Sequence, residues 1–122
     1  IGYVICAPAY WRYRLRFLPY LLRVSRCSRS AAHNWLFHQV EGRFAHAYPA
    51  HLHIDLFPEY QRLGLGSQLM DALLDALRAR RVRGVMLGCG KNNEKGNAFY
   101  QKYGFTRLGE MRGAVLWGFK LA

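Results

Sequence analysis

The clearest pattern of apolar and polar positions begins at residue 50. The segment AHLHIDLF alternates between the two, with His51, His53 and Asp55 on its polar side. A period of two predicts a β-strand with one polar and one apolar face. Pro58 ends the strand. Beyond a glycine turn, apolar residues recur at helical spacing over 69–77 with charged residues between them, which predicts an amphipathic helix.

Four further elements follow this helix. Gly84 ends it, and VMLGC (85–89) predicts a fully buried strand. Asn93 is expected to cap a second helix, which stops at Gly104. The segments FTRLGEM and AVLWGFKL then predict a closing pair of strands. The order strand, helix, strand, helix, strand, strand is typical of an α/β layer architecture with crossover helices.

The first 48 residues carry weaker signals. Residues 1–7 predict a short buried strand. Residues 8–48 are rich in Arg, Ser and aromatic residues, and we expect Pro8 and Pro19 to interrupt any regular element there. The length of 122 residues fits one domain spanning 1–122. Because the chain starts without Met, we expect it to be a fragment or a processed form.

Composition and charge narrow the class of protein. A hydrophobic content of 52% and an aromatic content of 15% exclude a disordered chain. No apolar run reaches the roughly 20 residues that span a bilayer, so no membrane partner is expected. A net charge of +11 suits a polyanionic partner, namely nucleic acid, an anionic membrane surface or a phosphate-rich cofactor. Cys6, Cys27 and Cys89 form no CxxC pair, and their odd number favours the reducing cytoplasm.

A glycine turn, QRLGLG (61–66), joins the first strand of this pattern to its helix. Gly64 and Gly66 let the backbone approach a ligand closely, and the helix start presents free N–H groups to an anion such as a pyrophosphate. A tight turn that needs glycine only for its dihedral angles explains the segment equally well. The dinucleotide fingerprint fails because Leu69 stands where its third glycine belongs, and the Walker loop is absent.

Two motifs carry a resemblance to a known family. Gln61-Arg62-x-Gly64-x-Gly66 resembles the Gln/Arg-x-x-Gly-x-Gly/Ala signature of the GNAT acetyltransferases. The segment NEKGNAFYQKYGF (93–105) resembles their second signature, Asn-x-x-Ala-x-x-x-Tyr-x-x-x-Gly-Phe, with Gly96 in place of Ala. The resemblance covers roughly residues 50–122. It implies a GNAT fold, a mixed central sheet flanked by helices, that lacks its N-terminal elements.

A narrower resemblance involves the segment YPAHLHIDLFPEYQRLGLG (48–66) together with Phe17, Leu18 and Pro19. Both are similar to bacterial relatives of the acetyltransferase-like C-terminal domain of O-GlcNAcase.

The GNAT resemblance implies that acetyl-CoA is a co-substrate. Backbone N–H groups from Leu63 to Ser67 would hold its pyrophosphate. The strand that ends at Leu56 would offer an N–H group to the acetyl oxygen, and Asn93 would steady the pantetheine arm or a nearby water. The implied cofactor-binding residues are Leu56, Gln61, Arg62, Leu63, Gly64, Leu65, Gly66, Ser67 and Asn93.

Catalytic roles are implied for four residues. Tyr100 matches the family tyrosine that protonates the leaving thiolate; the alternative is an aromatic residue packed on the inner face of its helix. His51, His53 and Asp55 share the strand face that the family places beside the acetyl group, and any of the three could be the base. They could instead be polar residues satisfied by their neighbours. A zinc site is ranked below both readings, and no metal is expected.

Three hypotheses about function follow. The first is an acetyl-CoA-dependent N-acetyltransferase that moves an acetyl group to a primary amine by direct attack in a ternary complex. The second is a catalytically inactive pseudo-acetyltransferase with a recognition role. A nucleic-acid-binding module ranks last because no such motif is present. A basic surface would repel a histone-like tail, so we expect a small amine or a less basic peptide as acceptor. A homodimer is left open.

Overall fold

Five strands and three helices make up the part of the chain that the computed structural model describes, which is residues 2–25, 42–111 and 113–122. A 3₁₀ turn at Pro58–Tyr60 lies among them. In chain order the elements are β1 (Gly2–Ala7), α1 (Tyr10–Ser25), β2 (Ala50–Leu56), α2 (Leu65–Ala79), β3 (Gly84–Gly90), α3 (Glu94–Tyr103), β4 (Thr106–Met111) and β5 (Ala114–Lys120).

The strands form one mixed sheet in the order β1-β2-β3-β5-β4. Strands β2 and β3 run parallel because helix α2 crosses over between them, and the other neighbours are antiparallel. The α/β class and the mixed sheet that the sequence predicts are therefore confirmed. No helix among the described residues is long and apolar enough to cross a membrane.

Strands β2 and β3 stay together over only two residue pairs. Ala50 pairs with Val85 and His51 with Met86. Strand β2 nevertheless continues to Leu56, and β3 continues to Gly90. The two strands therefore diverge towards their C-terminal ends and leave an opening in the middle of the sheet.

Side chains are buried on both faces of the sheet. On one face, Leu74 of α2 and Tyr100 of α3 pack with Leu87 of β3 in the larger core cluster. On the other face, Met86 packs with Tyr10, the first residue of α1, in a second cluster that also contains Phe44, Ala45 and Tyr48. Because successive strand residues point to opposite faces, each core takes alternate residues of β3.

The N-terminal third departs from the sequence-based expectations. Helix α1 runs through Pro19, which we expected to interrupt it. A proline removes one hydrogen bond, from its missing N–H group to the carbonyl of Leu15, and the other turns of this 16-residue helix remain. Strand β1 is largely exposed rather than buried, because it forms the edge of the described sheet. Cys27 lies outside the described residues.

Two features later in the chain also differ from expectation: the residue at which α2 ends and the burial of β3. Helix α2 ends at Ala79 with Arg80 as its C-cap, so Gly84 does not end it but begins β3. The first four residues of β3 are buried, whereas Gly88 and Gly90 are exposed. The exposure has a local cause: these glycines lie where β3 has separated from β2.

A hydrogen bond between side chains joins the two helices of the larger core. The hydroxyl of Tyr103 in α3 donates to Oδ1 of Asp71 in α2. Burial and this bond to Asp71 raise the pKa of Tyr103 above its usual value.

We expect Tyr103→Phe to lower the free energy of unfolding by about 1 kcal/mol at neutral pH. A folded-state pKa that is raised stabilises the fold below the unfolded tyrosine value of about 10, and the contribution disappears as pH rises above it. Urea unfolding of Tyr103→Phe, Asp71→Ala and the double variant should show coupling at pH 7. Strictly additive losses would contradict this bond.

Candidate functional site

The divergence of β2 and β3 creates a cleft of about 190 Å³. Four consecutive residues of β2 (52–55) and four of β3 (87–90) form its walls, and Asn93 and Tyr100 complete the lining. Because the cleft passes between two strands, it is bordered by residues from both faces of the sheet. Ligands of open α/β sheets bind at such carboxyl ends of parallel strands.

A side-chain hydrogen bond joins the turn between β2 and α2 to the end of β2. The side-chain amide of Gln61 donates from Nε2 to the carbonyl oxygen of Leu56 at 3.0 Å. Two residues of the turn have left-handed backbone angles, Arg62 at a φ of 62° and Gly64 at a φ of 80°. Gln61 therefore fixes the turn to the end of β2, a role that the sequence motif alone did not indicate.

The N–H groups of residues 63–67 donate to no backbone carbonyl in the described parts of the chain. At the start of the turn the N–H group of Gln61 donates to the carbonyl of Pro58 at 3.3 Å, and the next N–H group that bonds a backbone carbonyl is that of Gln68, which donates to Gly64 at 3.1 Å. The preceding N–H groups, from Leu63 to Ser67, are free to bind an anion at the positive end of the helix. The residues present therefore fit the diphosphate of a nucleotide cofactor.

The two glycines of the turn have different surroundings. A Cβ atom at Gly64 would meet nothing within 4 Å, so this side of the turn is open. A Cβ at Gly66 would lie 3.4 Å from Leu56 Cδ1 and 3.5 Å from the ring of Phe99. Those distances are close to ordinary van der Waals contact. An alanine Cβ would therefore fit at position 66 between Leu56 and Phe99, whereas the left-handed angle at position 64 favours glycine.

Tyr100 satisfies both readings of its position. Its ring packs against Phe99 and Phe105 at centroid distances of 5.3 and 5.6 Å, and only 9% of the residue is exposed. It also lines the cleft beside Cys89 and Asp55. Burial is the main cause that raises the pKa of Tyr100 to about 12, with smaller contributions from Cys89 and Asp55. The phenol is therefore protonated at neutral pH and available as a donor.

The polar face of β2 brings two of the three candidate bases together. His53 Nε2 lies 2.9 Å from Asp55 Oδ2, and both residues line the cleft. His51 lies at the other end of β2, opposite Ala7, and is not part of the cleft lining. Within the described residues, no third His, Cys, Asp or Glu joins His53 and Asp55 in a group that could hold a metal ion.

Tyr3 of β1 also reaches this group. Its hydroxyl donates to Asp55 Oδ2 at 3.0 Å. The sequence gives no signal for it, since the antiparallel register that places Tyr3 opposite Asp55 is visible only in the folded sheet.

Asn93 and Asn97 shape the end of the cleft near α3. Asn93 caps the helix, because its Oδ1 accepts from the N–H group of Gly96 at 3.0 Å, and it lines the cleft at the same time. Asn97 Nδ2 donates to the carbonyl oxygens of Gly90 and Asn93 at 2.9 and 3.0 Å. Its Oδ1 accepts from Trp117 Nε1 at 2.9 Å. Asn97 thus holds the turn between β3 and α3. The second motif does not indicate this role, because it specifies no residue type at position 97.

The glycine that departs from the family motif has a steric explanation. A Cβ at Gly96 would lie 2.7 Å from Asn93 Nδ2 and 2.9 Å from Cys89 Sγ. Helix α3 nevertheless starts normally at Glu94. The glycine therefore makes room for the cysteine and the capping asparagine.

We expect Gly96→Ala to lower the free energy of unfolding by about 1 kcal/mol, although alanine is the better helix former. In the double variant Cys89→Ala/Gly96→Ala, the loss should be smaller than the sum of the single losses, because the sulfur that crowds position 96 is gone. Urea denaturation measures all three. Gly96→Ala that is more stable than the parent protein would show that the crowding has no energetic cost.

A larger cavity, of about 450 Å³, lies on the other side of α3 against β4 and β5. At its mouth Glu110 is paired with Lys91 and Arg107, each at 2.7 Å. These exposed ion pairs lower the pKa of Glu110, with Lys91 as the larger cause. The lining of this larger cavity contains none of the candidate catalytic residues. The smaller cleft between β2 and β3 is therefore the candidate active site.

Comparisons with known proteins agree with this geometry. The sequence model described as the acetyltransferase (GNAT) family matches residues 19–105. The crystal structure of SsHAT is 33% identical, with a TM-score of 0.76, and the match covers 100% of this chain and 67% of SsHAT. The PaiA N-acetyltransferase of Thermoplasma acidophilum in complex with coenzyme A shares the fold at 24% identity and a TM-score of 0.57, over 58% of this chain and 45% of that one.

A curated relative, the 5-NmdU N-acetyltransferase of Pseudomonas phage PaMx11, is 38% identical over 60 residues. The match covers 49% of this chain and 41% of the phage protein. The chain therefore matches less than half the length of this curated relative. Because the family model covers residues 19–105, most of the chain, the protein belongs to the GNAT acetyltransferase family.

Proposed function

We propose that this protein is an N-acetyltransferase that binds acetyl-CoA and moves the acetyl group to a primary amine. One observation carries the proposal: the turn at 63–67 presents free N–H groups beside a cleft that holds a protonated tyrosine. An inactive recognition domain would need neither feature. The net charge of +11 is consistent with a cofactor that carries several phosphates.

The chain's own residues would hold the diphosphate, the pantetheine arm and the acetyl group of acetyl-CoA. The N–H groups of Leu63 to Ser67 would bind the diphosphate, with Arg62 as a neighbouring cation. The pantetheine arm would follow β2, where residues 52–56 have no pairing partner on β3. Backbone N–H groups there, near Leu56, would be donors for the acetyl oxygen. Asn93 would contact the arm at the cleft end.

The chemical step we propose is direct attack in a ternary complex. The amine nitrogen forms a bond to the thioester carbonyl carbon while the carbon–sulfur bond breaks. The amine proton passes to a base on the polar face of β2, for which His53 and Asp55 are placed in the cleft and His51 is not. From the base, the proton passes to solvent.

Tyr100 would stabilise the sulfur as it departs. Its pKa of about 12 lies well above that of a thiol, about 8.5, so complete proton transfer to the thiolate would cost roughly 5 kcal/mol. We therefore propose that Tyr100 donates a hydrogen bond and keeps its proton. The released thiolate takes its proton from solvent. This role is narrower than the full protonation that the family resemblance implies.

The acceptor amine, the cellular location and the oligomeric state stay predictions. The phage relative is a 5-NmdU N-acetyltransferase, but with 60 aligned residues its acceptor is not carried over. The basic surface favours a small amine or a less basic peptide over a histone-like tail. The cytoplasmic location, a homodimer and the narrower similarity to bacterial relatives of the O-GlcNAcase C-terminal domain are likewise predictions.

Calorimetry and turnover together test the proposal. We expect acetyl-CoA to bind and the protein to release free thiol when primary amines are added. Binding without thiol release from any of a broad panel of amines would favour the pseudo-acetyltransferase. No binding of acetyl-CoA would contradict the assignment of the turn. Strong acetylation of a polybasic peptide would overturn the inference about the acceptor.

A further inference from the structure

From the hydrogen bonds around Asp55, we infer that Tyr3 and Asp55 hold His53 in the tautomer protonated at Nε2. This leaves Nδ1 as the atom that accepts the amine proton. Tyr3 is then a positioning residue of the acceptor side, contributed by a strand outside both family motifs. The inference rests on the proposed acetyl transfer and names the base and its reactive atom.

Two donors share one oxygen of Asp55. Tyr3 Oη lies 3.0 Å and His53 Nε2 lies 2.9 Å from Asp55 Oδ2. An ionised carboxylate only accepts hydrogen bonds. Both partners must therefore donate, the tyrosine through its hydroxyl and the imidazole through Nε2–H. A neutral imidazole that carries its proton on Nε2 has its lone pair on Nδ1.

The sheet register builds this arrangement. Tyr3 lies directly opposite Asp55 in the antiparallel pair of β1 and β2, and Ile5 lies opposite His53. Directly opposite residues point to the same face, so Tyr3, His53 and Asp55 form one row on the polar side of the cleft. The rings of Tyr3 and His53 are 6.3 Å apart. The bond to Asp55 is the main cause that raises the pKa of Tyr3, which keeps its hydroxyl a donor.

The arrangement separates the roles of the two candidate bases. Oδ2 of Asp55 already accepts from both neighbours, so the carboxylate is suited to orient His53 rather than to take the amine proton. The side chain of His53 is 63% exposed. A proton taken up on Nδ1 can therefore leave to solvent while Nε2–H stays bonded to Asp55. The amine loses one proton in this step, and the imidazole gains and then releases it.

The titratable groups around His53 come from four elements. Asp55 lies beside it on β2, and Tyr3 lies across from it on β1. Cys89 of β3 and Tyr100 of α3 line the opposite side of the cleft. Burial raises the pKa of the Cys89 thiol and of Tyr100, so both are neutral near pH 7. Asp55 is then the one charged neighbour of His53 in the described cleft lining.

The direct test is the nitrogen NMR spectrum of the protein with labelled histidine, assigned to His53 with a His53→Gln variant. We expect the Nε2–H tautomer in the parent protein above the pH at which the ring is charged. Asp55→Ala should remove that preference, and Tyr3→Phe should weaken it. Tyr103→Phe is the matched control, because it removes a tyrosine–aspartate bond elsewhere and should leave the His53 signals unchanged. An Nδ1–H tautomer in the parent protein would overturn the inference.

Kinetics supply the second readout. Tyr3→Phe should lower kcat about 3- to 10-fold and Asp55→Ala about 100-fold, with unchanged affinity for acetyl-CoA. If Tyr3→Phe leaves both kcat and the tautomer unchanged, Tyr3 has no positioning role. The tautomer is measured without turnover, so failure of the proposed acetyl transfer would be seen separately.

Discussion

Replacing Tyr100 by phenylalanine is expected to lower turnover about 100-fold while the affinity for acetyl-CoA changes little. The substitution keeps the ring that packs against Phe99 and Phe105 and removes only the hydroxyl in the cleft. A donor that acts on charge developing at sulfur stabilises the transition state more than the bound ground state. The loss should therefore appear in kcat rather than in binding. Steady-state rates and calorimetric titration of each protein measure the two effects.

Tyr48→Phe is a suitable control for this experiment. Tyr48 is another buried tyrosine, 7% exposed, but it belongs to the core cluster on the opposite face of the sheet. Its variant should retain the turnover of the parent protein. Equal losses of turnover and of acetyl-CoA affinity in Tyr100→Phe would contradict the role proposed for the hydroxyl and favour a packing role alone.

Gly64→Ala is expected to weaken the binding of CoA by about 10-fold or more. The added Cβ would enter the open side of the turn, where an approaching diphosphate would accept from the N–H groups of Leu63 to Ser67. Each hydrogen bond to a charged group that is lost costs about 1.5–3 kcal/mol, and about 1.4 kcal/mol corresponds to a tenfold change in affinity. Isothermal titration with CoA measures the change.

The chain offers a control with the same backbone strain. Gly113 has a φ of 82°, against 80° at Gly64, and a Cβ there would likewise meet nothing within 4 Å. Both alanine variants should lose about 1–2 kcal/mol of unfolding free energy from the left-handed angle. Only Gly64→Ala should lose affinity for CoA. Equal affinities in the two variants would mean that the turn does not contact the cofactor.

Most of the fold after residue 50 could be predicted because its signals are local. The alternation in β2 and the helical spacing in α2 depend on nearby residues only. The N-terminal third lacked such signals, and Pro19 argued against a helix at the place where α1 forms. The divergence of β2 from β3 could not be predicted at all. It follows from the packing of whole elements, yet it is what creates the cleft.

In the candidate site, too, the residues in local motifs could be predicted and those that depend on distant contacts could not. Tyr100, Asn93 and the glycine turn lie in contiguous motifs; Tyr100 and Asn93 line the cleft, and Gln61 joins the turn to Leu56 at the end of β2. Tyr3 could not be detected because its partner Asp55 is 52 residues away in sequence. Asn97 has local partners in Gly90 and Asn93, but its bond to Trp117, 20 residues away, depends on the folded sheet. The alternation in β2 grouped His51 with His53 and Asp55 on one face of the strand. His51 lies nearer the start of the strand, however, and does not line the cleft.

The most direct test of the account is an amide NMR titration of the protein with CoA. If the turn binds the diphosphate, the amide signals of Leu63 to Ser67 will show the largest shifts, because their N–H groups gain charged acceptors. Shifts confined to other parts of the chain, with these five amides unchanged at saturation, would contradict the account.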